Sequence, residues 1–150
     1  MLESLEQKKR RLYGKKYLKE YIGVIKRITT LNEHEINLLS IIETDNIIEK
    51  EKTLKFQSSS KLFFNDKEEL KKFIIEKLNT DSIYVCTQFS VDCGILMIDS
   101  LKVFNFQFDF DDDSSGIITL INSNLEHKVL LDFYEENGLK YIEIEYYAKV

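Results

Sequence analysis

A chain of 150 residues with 43% hydrophobic and 31% charged side chains can bury its own core, which excludes a disordered segment and any reliance on disulfides or metal for folding. No apolar run approaches the ~18 residues of a membrane span, and MLESLEQKKRR has no apolar signal-peptide centre. The expectation is therefore a cytoplasmic protein with no membrane partner, with Cys86 and Cys93 as reduced thiols. The net charge of −5 conceals a gradient: residues 1–30 carry nine basic and three acidic side chains, residues 31–98 eight and twelve, and residues 99–150 four and eleven.

Residues 2–21 read as one helix, with Tyr13, Tyr17 and Tyr21 one turn apart and cations filling the positions between. Lys8, Lys9, Arg10, Arg11, Lys15, Lys16 and Lys19 form either a solvated face that docks on the protein's own acidic sheet or a phosphate-binding stripe. Gly14 is a weak point, at about 1 kcal/mol relative to Ala. Ile22 to Ile28 continue the helix or start a short strand. Thr30-Leu31-Asn32-Glu33 has capping-box spacing and predicts a helix to Glu43 that buries Ile36, Leu39 and one of Ile41 and Ile42. His34 then sits exposed in its first turn. Residues 46–57 are ambiguous, with strand favoured over Thr53–Gln57, and Ser58-Ser59-Ser60 reads as a loop. Asn65-Asp66-Lys67-Glu68-Glu69 opens a helix with Leu70, Phe73, Ile74 and Leu78 on one stripe, stopped by Asn79-Thr80-Asp81.

From Ser82 the apolar period changes from helical to alternating. Ile83–Phe89 and Gly94–Asp99 read as central strands joined through Ser90–Cys93. Phe104, Phe106, Phe108 and Phe110 alternate with Asn105, Gln107 and Asp109, which predicts a strand with one apolar face. It runs into the acidic turn Asp111-Asp112-Asp113-Ser114-Ser115-Gly116. Strands follow at Ile117–Asn122, Lys128–Tyr134 and Leu139–Ala148, separated by Ser123–His127 and by Glu135–Gly138, where the acids before Asn-Gly suggest a loop longer than a tight hairpin. Helices first and strands later give an α+β fold, one domain over 1–150, with the N-terminal helices packed on one face of a mostly antiparallel C-terminal meander.

The five glycines are isolated, so no phosphate loop or dinucleotide fingerprint exists. The two histidines and two cysteines lack metal-site spacing. A nucleophilic pair of Cys86 or Cys93 with His127 stays open, because such groups meet in space rather than in sequence. Asp111, Asp113, Ser115 and Gly116 match the first half of a calcium loop, but Asn122 stands where the bidentate Glu belongs. The expectation is no catalysis, no cofactor and no metal. On the last strand Ile142, Ile144 and Tyr146 face the core, while Tyr141, Glu143, Glu145 and Tyr147 face away. Asp132, Glu135 and Glu136 on the neighbouring hairpin add the same sign. Tyrosines for contact area and carboxylates for steering suit a recognition surface.

A short acidic α+β chain whose tail reads DFDDDSSG and LLDFYEENGLKYIEIEYY resembles the immunity proteins of bacterial polymorphic-toxin and contact-dependent inhibition systems. The resemblance implies a cytoplasmic protein that binds a cognate toxin domain, frequently a nuclease, and neutralises it by occlusion. It transfers no functional residue by position. The partner-binding surface expected from the residues is Asp109, Asp111, Asp112, Asp113, Glu135, Glu136, Tyr141, Glu143, Glu145 and Tyr147, facing a basic protein partner. The alternatives are a nucleic-acid-associated protein using Lys8–Lys19, which the acidic remainder disfavours, and a small calcium-binding module or hydrolase.

Overall fold

The computed structural model describes residues 2–79, 81–112 and 116–150. The chain runs α1 (Leu5–Gly14), α2 (Leu18–Ile28), β1 (Asn37–Leu38), α3 (Ile41–Glu51), β2 (Lys55–Phe63), α4 (Lys67–Leu78), β3 (Ile83–Cys86), α5 (Ser90–Cys93), β4 (Leu96–Ile98), β5 (Ile117–Asn122), β6 (His127–Glu136) and β7 (Leu139–Ala148), with 3-10 turns at Glu33–Glu35 and Leu101–Val103. The seven strands form one sheet in the order β1-β4-β3-β5-β6-β7-β2, antiparallel at every pairing. The α+β class and the β5-β6-β7 meander agree with the sequence reading. The early strand β2 adds a pairing the meander does not predict, along the outside of β7.

Alternation along the strands sends Ile83, Val85, Ile118, Leu120, Val129, Leu131, Phe133, Ile142 and Ile144 to one face. There α2 brings Tyr21, Val24, Ile25 and Ile28, and α4 brings Leu70, Ile74 and Leu78. Both sets have helical spacing, so each helix presents one apolar stripe, and each fully buried aliphatic side chain contributes about 1.5–3 kcal/mol. On the opposite face α3 covers one end only, packing Ile47 against Ile121 and Ile95 beside Tyr84 and Cys86. Among the described residues no helix packs apolar side chains on the β6-β7-β2 half of that face, where α3 reaches Lys128 through Glu51.

Five sequence expectations change. The first helix is two: α1 ends at Gly14 and α2 starts at Leu18, and Gly14 is where α1 docks on α5, since an added Cβ there would lie 2.5 Å from the Asp92 carbonyl oxygen. Thr30 does not open a helix. Its hydroxyl donates to Val103 O, Asn32 and Glu35 form the capping box of a single 3-10 turn, and Ser40 with Glu43 caps α3 instead. Ser58-Ser59-Ser60 lies inside β2, where pairing with Tyr146, Glu145 and Ile144 overrides the turn preference of serine. The phenylalanine segment is not a sheet strand.

That segment lies along the C-terminal end of α2. Asn105 N donates to Ile28 O at 2.8 Å, its Nδ2 to Arg27 O at 3.0 Å, and its Oδ1 accepts from Gln107 N. Asn105 thus supplies local bonds that compete with a strand ladder. The segment curls, and the rings meet in one cluster. Phe104 stands 5.2 Å from Phe106 and 6.0 Å from Phe108, while Phe64 and Phe133 each contact both Phe108 and Phe110. The alternating rings are apolar anchors as their spacing predicts, but the backbone that carries them is a curled segment and not a strand. Finally, the hairpin after Glu136 is tight: Asn137 (φ 54°) and Gly138 (φ 78°) make a two-residue turn, and Glu135 and Glu136 belong to β6.

Candidate functional site

The uncovered half of the sheet is built in rows. Cross-strand register sets Phe63-Tyr141-Tyr134 in one row and Lys61-Glu143-Asp132-Ile117 in the next. Ser59-Glu145-Leu130-Thr119 and Phe56-Tyr147-Lys128-Ile121 follow. Aromatic rows therefore bracket a polar centre. Phe63 stacks on Tyr141 with centroids 5.4 Å apart, and Tyr134 lies 5.7 Å from Tyr141. At the other end Phe56 meets Tyr147 edge-on at 5.7 Å. Phe56 and Phe63 remain 54% and 55% exposed, which puts two large apolar rings in water on one face.

The charges are uneven. Lys128 is satisfied by Glu51 at 2.6 Å and lies 4.2 Å from the Tyr147 ring centre. Lys61 turns from Glu143, its register partner, to Glu136 at 3.7 Å and the Tyr141 ring at 4.1 Å. A hydrogen bond to Tyr134 raises its pKa, so it is a firm cation. Glu143 accepts from Ser59 Oγ at 3.3 Å and Glu145 from Tyr147 OH at 3.3 Å. Burial, assisted by Glu145, pushes the Tyr147 phenol up and keeps it a neutral donor. Asp132 and Glu143 stand directly opposite each other, and neither has an ion-pair partner among the described residues. Like charges so placed destabilise a sheet.

The ten residues expected at the surface fall into two places. Tyr141, Glu143, Glu145 and Tyr147 share the open face, with Glu136 at its edge through Lys61. Strand alternation turns Glu135 to the helix side, beside Lys140. Asp109, Asp111 and Asp112 are also on that side, around a concavity lined by Arg27, Phe64, Phe110 and Lys140. Asp113 lies outside the described residues. The aspartates have cationic neighbours: Arg27 approaches Asp112 at 3.6 Å, and buried Lys67 is near enough for Asp109 and Asp112 to oppose the fall in its pKa. The acidic turn and the Tyr-Glu-Glu-Tyr row are therefore separate features. Sequence reading missed Phe56, Ser59, Lys61 and Phe63, because taking the serine run as a loop concealed β2. The alternation of Lys128, Leu130, Asp132 and Tyr134 was a usable signal for the rest.

Other candidate chemistry separates in space. Alternation places Cys86 on the α3 side and His127 on the α2-α4 side, and Cys93 donates to Gly14 O between α1 and α5, so no Cys–His pair forms. His127 Nδ1 instead lies 2.7 Å from Tyr146 OH. Among the described residues no group of three or more His, Cys, Asp or Glu side chains is arranged to hold a metal ion, and no helix is long and apolar enough to cross a membrane. Asp113 and Ser115 of the calcium-loop pattern lie outside the described residues. Of the basic helix, Arg10 is committed internally, gripping Asp45 of α3 at 2.8 Å rather than the sheet. No protein-family model, curated protein or solved structure matches the chain.

Proposed function

We propose that the protein is a non-catalytic binding protein of the immunity type, which neutralises a cationic toxin domain by covering it with the open half of its sheet. The observation that carries this reading is the pair Asp132 and Glu143, directly opposed and without cations of their own, between two aromatic rows. A fold retains an unfavourable like-charge contact most readily where a partner relieves it. A lysine or arginine from the partner entering between these carboxylates does so, and the rings supply rigid contact area around it. Carboxylates at such an interface accelerate encounter with a basic partner. The aspartate turn, with Arg27 and Lys140 among its neighbours, is a secondary contact at most.

The test takes as candidate partner the C-terminal domain of any large secreted protein that a neighbouring gene encodes, purified in inactivated form. Parent protein is expected to bind it one to one, with association slowing as salt rises. D132K/E143K is expected to slow association by about tenfold or more and to abolish protection of cells producing the active domain. Equal protection by parent and variant removes this face from the reading.

A further inference from the structure

Helix α1 is amphipathic in the inverted sense. Its inward stripe is polar. Gln7 Nε2 donates to Asp45 at 2.9 Å, Arg10 binds both Asp45 oxygens at 2.8 and 3.1 Å and Val91 O at 2.7 Å, and Gly14 packs on Asp92. At about 100° per residue, the opposite stripe is centred on Leu5 and Leu12, one heptad apart. Leu5 is 70% exposed and Leu12 46%, and Leu2, just before the helix, is 92% exposed. Lys8 and Lys9 flank the leucines on α1, and Lys15 and Lys16 continue the flank past its end; all four are exposed, and none has a carboxylate partner among the described residues. Lys16 rests 5.3 Å from the Tyr13 ring centre. The fold spends the polar side of this helix on itself and leaves leucines ringed by lysines outside.

The chemistry of that face selects among occupants. The cationic partner proposed for the sheet is repelled here. A second copy would bring lysine against lysine. A nucleic acid uses the lysines and leaves the leucines in water. An anionic bilayer surface uses both, with leucines at the headgroup–acyl boundary and lysines extended to the headgroups. Four clustered lysines match the number at which juxtamembrane basic clusters hold anionic lipid. We propose that the outer face of α1 docks the protein on an anionic phospholipid surface. The absence of a spanning segment, on which the expectation of no membrane partner rested, does not bear on a helix that lies in the interface.

Flotation with phosphatidylcholine vesicles, with and without phosphatidylserine, tests this. The parent is expected to float only with the phosphatidylserine vesicles. K8Q/K9Q/K15Q/K16Q is expected to weaken binding up to about a thousandfold, and L5S/L12S, at unchanged charge, about tenfold or more. The chain has no tryptophan, so L12W is a single reporter whose emission should shift to the blue on phosphatidylserine vesicles. All these positions are exposed, and circular dichroism should show the fold unaltered in each variant. Absence of flotation overturns the proposal, as does flotation that L5S/L12S leaves unchanged. So does binding of duplex DNA in the absence of vesicle binding, which makes nucleic acid the occupant. D132K/E143K leaves α1 intact and, being less negative, should float at least as well as the parent, so failure here and failure of the sheet-face reading are separable.

Discussion

Lys67 shows how a single residue joins the acidic turn to the core. It opens α4, yet its side chain runs inward, where Nζ donates to Phe108 O at 2.8 Å and lies 3.7 Å from the Phe64 ring centre. Burial pulls its pKa down, while Asp109 and Asp112 pull the other way. The aspartates thus offset part of the burial penalty on Lys67, and its Nζ ties the curled phenylalanine segment to α4. None of this is legible in the sequence, where Lys67 is one more polar residue in a helix's first turn and the aspartates have no local partner. The exposed carboxylates of β7 were legible, because strand alternation alone decides which side each one faces. Lys67→Met keeps most of the stem and removes the donor, leaving Phe108 O unpaired. Urea unfolding should show a loss of about 1–3 kcal/mol, and an unchanged midpoint would mean that the ammonium does not anchor the segment.

Among the elements, those fixed by local patterning were readable and those fixed by a distant partner were not. Leu139–Ala148 is legible to its boundaries because alternation runs along its whole length and Gly138 stops it on one side. Lys55–Phe63 is legible only as far as Gln57, because its serines are strand residues only through β7, 84 residues away in the Ser59–Glu143 hydrogen bond. The phenylalanine segment has strand periodicity, but Asn105 satisfies the backbone locally and α2 takes the place of a neighbouring strand. The hairpin at Asn137-Gly138 connects element to site, since it fixes the register that puts Tyr134 beside Tyr141 and Asp132 opposite Glu143. Gly138 has open space around its Cα but a φ of 78°. Gly138→Ala therefore meets no clash and pays only left-handed backbone strain, about 1 kcal/mol. The melting temperature should fall by about 2–4 °C, with partner affinity retained if the register holds. A much larger fall would show that the turn changes type and the rows of the open face shift with it.

For the whole molecule, the alkaline limit of stability follows from two weak acids held neutral inside. Tyr21, which donates to Gly94 O at 2.7 Å under α2, has its phenol pushed up by burial. Cys86 lies on the other side of the sheet among the residues packed against Ile47, Ile95 and Ile121, and burial pushes its thiol up to about 12. In the unfolded chain a thiol titrates near 8.5. Between these values the native state keeps a proton that the unfolded state has lost, so stability is complete below about pH 8.5 and declines as pH rises. The greatest slope from one such group is about 1.4 kcal/mol per pH unit; Cys86 is only half-buried by area, so solvent makes the real slope shallower. Lys67 contributes with opposite sign, since its lowered pKa makes stability rise with pH as the value for an unfolded lysine is approached. The two effects separate by difference. Cys86→Ala lowers stability by a constant cavity term at every pH and removes the thiol's slope together with its small part in raising the Tyr21 phenol, while Lys67 acts equally in both proteins. Denaturant unfolding of parent and Cys86→Ala from about pH 7.5 to about pH 10.5 should therefore give curves that run parallel below about pH 8.5 and converge above it. Curves parallel throughout would show that Cys86 ionises as readily folded as unfolded, and that α3 does not seal its end of the sheet.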